Sequence, residues 1–300
     1  MSSVRSVRWI GFAVLCVLAA SSWVIPQNSP SVVPSLEEQG ILFSLIGFVA
    51  LLISLRGGWR RQRLSEYWRF VLGSLGFFGV PLVVAEYAGS VTAITRSALF
   101  ALAPVVVVIV VAAGDMSAVE ERGARRFLVP ALIGAGGLFL LLPLEISGSL
   151  RGRLMVGLVG VAVVLVGMTS GWLHRLLGEI RWVEGIALAG LMNGLFLFVC
   201  SAFLEGMVWH WTNFGLLESI SLLVDGIEVL LIVWLLREMT PVRFSARYLV
   251  IPLLTVLESF VVERPDVTLR IVCGTALLAV GAAALLFWKA GDEEAVLSLR

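Results

Sequence analysis

Asp225 and Glu228 stand three positions apart in a stretch, 214–236, that is otherwise nearly all apolar. A three-residue step turns about 60° round a helix, so both carboxylates can face one cavity. Chemically such a pair binds a cationic group or shares a proton whose loss accompanies a transport step. A polar contact between packed helices is the competing reading. Glu218, two turns before Asp225, continues the same face. In the next apolar stretch Arg243 and Arg247 lie one turn apart, and Arg247 comes to a depth similar to that of Glu228. Glu228 and Arg247 could therefore form an ion pair, or both arginines could snorkel to the interface. Asn193 is an isolated amide in 184–204, suited to substrate or to a neighbouring helix. Trp23 and Trp172 are candidates for stacking a substrate or closing a gate, with interfacial anchoring as the alternative.

Other chemistries have little to draw on. Cys16, Cys200 and Cys273 stand singly, and His174 and His210 are the only histidines, so neither a metal site nor a hydrolytic triad is expected. No GxxxxGK[ST] sequence occurs, so no nucleotide is expected to drive the protein. No cofactor, no metal, no nucleic-acid partner and no enzymatic activity are expected.

The elements that must position these residues are membrane spans. The chain is 59% hydrophobic and 14% charged, with mean hydropathy +0.99, where soluble domains carry roughly 45–50% apolar and about 25% charged residues. A bilayer core about 30 Å thick takes about 20 apolar residues in a helix. On that ruler the sequence predicts ten spans, near 9–26, 39–56, 69–88, 92–113, 127–145, 154–174, 184–204, 214–236, 244–262 and 267–288. No alternating barrel pattern is visible, so the fold class is all-α membrane protein. The first stretch follows Arg5 and Arg8, and Ala19, Ala20 and Ser21 would suit signal-peptide cleavage. An internal repeat favours a retained span instead.

That repeat pairs Gly11, Ala13, Val14, Val17, Ser21 and Trp23 with Gly160, Ala162, Val163, Val166, Ser170 and Trp172, all 149 positions apart. Pro104, with Asp115 eleven residues later, is echoed 148 positions on by Pro252 and Glu263. Ala131–Gly136 resembles Ala276–Gly281. The halves are 1–148 and 149–300. Five spans in each make the second copy enter from the opposite side, so the repeats are inverted, as in many secondary transporters. With the N-terminus inside, most arginines fall on the cytoplasmic side, against Arg151, Arg153, Arg264 and Arg270 outside. Both termini are then cytoplasmic.

Further residues carry a family likeness. They are Ser21, Ser22 and Trp23 closing the first span; Ala98 to Val105 with Pro104; Gly134, Gly136 and Gly137; Trp234 to Glu238; Leu249 to Leu253 with Pro252; and Phe260 to Glu263. Over its whole length the chain resembles the drug/metabolite transporter superfamily, specifically its EamA-like ten-span branch. It departs from that pattern at Asp115, where such proteins place Glu, in a longer loop holding Glu120, Glu121, Arg122, Arg125 and Arg126, and in the extra acid of the eighth span. Repeat and resemblance together imply a secondary transporter, an exporter of small organic metabolites across the inner membrane by alternating access. A translocator of lipid or lipid-linked substrate and a non-transporting membrane scaffold are the alternatives, and a homodimer is left open.

Overall fold

Long apolar runs form helices because hydrocarbon offers backbone N–H and C=O groups no partner outside the chain. The computed structural model describes residues 2–21, 35–57, 64–113, 124–142, 144, 148–206, 216–262 and 267–288, and among these there is no strand. Its helices are α1 Ser2–Ser21, α2 Ser35–Arg56, α3 Leu64–Ser74, α4 Val80–Tyr87, α5 Ala93–Phe100 and α6 Ala103–Ala113. They continue as α7 Leu128–Leu141, α8 Leu150–Glu179, α9 Trp182–Leu204, α10 Leu216–Glu238, α11 Pro241–Ser245, α12 Arg247–Val262 and α13 Leu269–Phe287. Each of the ten predicted apolar stretches is largely helical over its described residues. Among the described residues seven helical stretches are long and apolar enough to cross a membrane, and 6–21 and 128–141 are shorter apolar helices. The remaining stretch, α10, is 23 residues long and carries Glu218, Asp225, Glu228, Arg237 and Glu238. The protein is a multi-pass membrane protein.

Three of these stretches are interrupted, each with a proline nearby. Proline has no N–H, so the carbonyl four residues before it loses its helical donor. Pro81 removes the donor of Phe77, and the chain between α3 and α4 widens into a π-turn, Leu75–Gly79, in which the Val80 N–H bonds the Leu75 carbonyl. Pro104 removes the donor of Phe100, and α5 ends at Phe100. Pro252 lies inside α12 and removes the donor of Tyr248, two residues after the turn at Ala246 that separates α11 from α12.

The helices gather into two compact units, Met1–Gly89 with Trp172–Glu238, and Ser90–Gly171 with Met239–Arg300. Each unit is centred on one glycine-to-glycine crossing. In the first, α2 crosses α9: a methyl placed on Gly190 would sit 2.5 Å from the Gly47 Cα and 2.7 Å from the Phe43 carbonyl oxygen. In the second, α7 crosses α13: a methyl on Gly281 would sit 2.5 Å from the Gly134 Cα, and one on Gly137 would sit 2.8 Å from the Gly274 carbonyl oxygen. Small residues allow the backbones to touch, and dispersion then drives packing where lipid is as apolar as the side chains. The outer face of α2 stays apolar and uncovered, with Leu45, Phe48, Leu52 and Ile53 about half exposed or more. Such a face suits lipid and not water.

Substituting Gly190 by Val should separate α2 from α9 and cost about 1–3 kcal/mol, the usual price of overpacking. Gly136, on α7, has open space where a Cβ would lie, so Gly136→Ala should leave stability unchanged or raise it slightly. Thermal unfolding of the purified protein in detergent measures both. Equal stability of Gly190→Val and wild type would contradict the crossing.

Candidate functional site

In the first unit the acids of α10 hang from a helix whose C-terminal end is fixed. The last carbonyls of a helix lack intrahelical partners. Here His174 Nδ1 donates to the Leu236 carbonyl at 2.7 Å and Arg8 Nη1 to the Glu238 carbonyl at 2.9 Å. Trp234 packs onto Gly11 of α1, which has no side chain to obstruct the ring. Asp225 lies about two and a half turns before Trp234, half-buried, and accepts a long hydrogen bond of 3.3 Å from Gln39 Nε2 of α2. Glu228, also half-buried, is one turn further along the same helix.

More carboxylates hold the first turn of α2. The Leu36 N–H donates to Glu205 Oε1 at 3.0 Å, and the Ser201 hydroxyl donates to Glu205 Oε2 at 2.7 Å. The Ser35 hydroxyl donates to Glu86 Oε2 at 2.6 Å. A carboxylate is favoured there because helix N-termini present unpaired N–H groups and a positive partial charge. Gln39 and Glu205 were not singled out in the sequence. Gln39 stands at the edge of an apolar stretch, where an amide reads as a boundary, and Glu205 gives no periodic signal of its partner 169 positions away.

Asn193 is fully buried on α9 and performs helix-to-helix bonding. Its Nδ2 donates to Ser74 Oγ at 2.5 Å and to the Ala189 carbonyl at 2.8 Å. Its Oδ1 lies against Gly79, where a methyl would come within 2.8 Å. The amide thus spans the π-turn, from the residue before it to its last residue. Beside it Phe43, Phe77 and Phe78 pack edge to face, with centroids 5.5 Å and 4.8 Å apart. Phe43 and Phe78, with Gly190 and Val233, line a cavity of about 10 Å³, room for one water at most. Trp172 lies by Gly73 and is 40% exposed, while Trp23 falls outside the described residues.

In the second unit Arg247 is buried, 5% exposed. Its guanidinium carbon stands 4.1 Å from the ring centre of Phe244 and 4.6 Å from that of Tyr248. Nη2 donates to the Tyr248 hydroxyl at 2.7 Å. Tyr248 in turn stacks on Phe100, with centroids 5.9 Å apart and planes 27° from parallel. Phe100 and Tyr248 are the two residues whose carbonyls lost their donors to Pro104 and Pro252. Among the described residues no group of three or more His, Cys, Asp or Glu could hold a metal ion.

No family model and no curated protein matches the chain. A solved structure described as "Crystal structure of protein" is similar in fold, with TM-score 0.70 at 17% identity, covering 95% of this chain and 99% of that one.

The Ser74–Asn193 bond generates a test. A double-mutant cycle of Ser74→Ala and Asn193→Ala should give a coupling of about 0.6 kcal/mol, the average for such interhelical bonds in a membrane. Unfolding in detergent supplies the four stabilities. Additive effects would assign Asn193 a role other than joining α3 to α9.

Proposed function

We propose that the chain is a secondary transporter, an exporter of small organic metabolites of the drug/metabolite transporter type, EamA-like branch. On this reading ten spans form two inverted five-helix repeats in the inner membrane, with both termini cytoplasmic. The observation that carries the reading is the make-up of the two glycine crossings: α2 with α9 and α7 with α13 each join a helix of 1–148 to one of 149–300. Inverted repeats pair elements of the two halves in this manner, and exchange of their geometries is what alternating access requires. Helices interrupted at the repeat-related Pro104 and Pro252 support it further, since transport sites in membranes are built at interrupted helices.

Asp225 is the coupling or cation-binding group, with Glu228 as its auxiliary. A carboxylate in a span needs a proton, a cation or water, and the neutral amide of Gln39 supplies a hydrogen bond without cancelling the charge. An apolar groove of about 360 Å³ lined by Phe260, Ile271, Thr275 and Ala279 favours lipid translocation as a second reading.

Overexpression with untargeted comparison of metabolites inside and outside cells should show a class of small molecules displaced outward. Asp225→Asn, isosteric and cheaper to bury, should keep the protein folded and inserted but abolish the displacement or alter its pH dependence. Glu228→Gln should act in the same direction more weakly. Unchanged export and pH profile in Asp225→Asn would relegate the residue to packing, and movement of a lipid probe between leaflets of proteoliposomes, without metabolite export, would favour the second reading. Labels placed at positions 2 and 298 should both report the cytoplasmic side.

A further inference from the structure

We propose that Gln39 and Asp225 form a proton-carrying pair, in which the Gln39 amide holds the carboxyl group in both its ionised and its protonated form. The coupling ion is then a proton, and Gln39 is the residue that positions its carrier. The proposal rests on the transporter reading and deepens it.

The chemistry of the partner comes first. An ionised carboxylate only accepts hydrogen bonds, a protonated carboxyl also donates one, and a primary amide offers a donor and an acceptor side by side. Gln39 Nε2 donates to Asp225 Oδ2 at 3.3 Å. A proton on Oδ1 adds a second bond, from that O–H to Gln39 Oε1, and closes a ring of two hydrogen bonds without turning the amide. An arginine in place of Gln39 would hold the carboxylate ionised, and an apolar side chain would give neither form a bond. The amide ties α2 to α10 in both states.

Position comes next. α10 reaches α2 at Gly226, beside Asp225, where a methyl would stand 3.4 Å from Leu42 Cδ1. One turn further along the two helices, Phe43 and Val229 line the apolar cavity of about 10 Å³. That space takes one water at most and is too small for a hydrated metal ion. The N–H directed at Oδ2 also opposes a metal ion on that oxygen, whereas a proton needs only Oδ1.

Charge comes last. The helices packed on α10 are α1, α2 and α9. α10 itself carries Glu218 and Glu228, α2 carries Glu37 and Glu38 just before Gln39, and Glu205 follows α9 and binds the Leu36 N–H. Cys16 of α1 and Cys200 of α9 are neutral thiols in apolar stretches, and Glu184 opens α9 at its other end. The bases stand elsewhere. Arg5 and Arg8 begin α1, with Arg8 on the Glu238 carbonyl; Arg56 ends α2; Arg237 is in the last turn of α10; and His174 bonds the Leu236 carbonyl. Leu236 to Glu238 lie about three turns or more from Asp225. The proton is therefore the positive charge that neutralises Asp225 in the layer. The only covalent bond made and broken is the carboxyl O–H: water on one side gives the proton and water on the other takes it.

Infrared spectra of the full-length protein in detergent, recorded across a pH series, read the carbonyl stretch of protonated carboxyl groups. Subtraction of Asp225→Asn isolates Asp225. Wild type should show a band that develops reversibly as pH falls and is absent from Asp225→Asn. Gln39→Met, of similar length but with no amide, should move that band to higher wavenumber, because the carboxyl loses both hydrogen bonds. Gln39→Arg should lose the band at the pH where wild type shows half of it; if that variant does not fold, the methionine variant decides. Exchange of sodium chloride for choline chloride should change nothing. Identical spectra of wild type and Asp225→Asn at every pH, an unmoved band in Gln39→Met, or a band suppressed by sodium and not by choline would each overturn the proposal. Metabolite export is read separately. A titrating band that depends on Gln39, with no export, sinks the transporter reading and leaves the proton pair standing.

Discussion

Hydrocarbon supplies no hydrogen-bond partner, and that single deprivation organises the molecule. It makes every apolar stretch a helix and makes each proline in such a stretch a local event, because the carbonyl it orphans cannot turn to water. At Pro81 the chain answers by widening into a π-turn, with Asn193 bonded to Ser74 just before that turn. At Pro104 the helix stops at Phe100, and at Pro252 the affected residue is Tyr248. These last two residues stack on each other beside the buried Arg247. The weak points of the backbone and the polar points of the interior coincide.

Packing follows from the same absence of water. With no hydrophobic gain to be had between helices in lipid, close approach is what brings them together, and close approach needs glycine. Gly47 with Gly190 and Gly134 with Gly281 make the two crossings, while Gly136, Gly157 and Gly160 face open space and perform no such duty. Glycine content alone does not distinguish the two kinds. Only the partner's position does, and that is a property of the fold.

This difference sets how far the sequence could be read. Apolar run length located helix at every expected stretch, since burial in lipid is a local property of twenty residues. Pro81 and Pro104 mark two of the interruptions, but hydropathy does not register a missing N–H. Asp225, Glu228, Asn193 and Arg247 stood out because charge and amide are rare in such stretches. Their partners did not. Gln39 is 186 positions from Asp225 and Ser74 is 119 from Asn193, and no periodicity connects them. For Arg247 the sequence left an ion pair and snorkelling open, and it did not reveal the aromatic rings of Phe244 and Tyr248 on which the guanidinium rests.

The way each charge is held bears on what it can do. Burying an ion beside an opposite ion consumes both, and removing either is then costly. The bonds made to Asp225, Glu205 and Glu86 come instead from neutral donors: the amide of Gln39, the Leu36 N–H, and the hydroxyls of Ser201 and Ser35. Arg247 rests on aromatic faces and a phenol oxygen. Dipoles of this kind lower the cost of placing a charge inside a protein without cancelling it, as the Gln39 amide does for half-buried Asp225. A protein built only to be rigid gains nothing by keeping the field of an uncancelled charge. The proposed transport of a charged group would draw on such fields, satisfied weakly enough that the transported group competes for them.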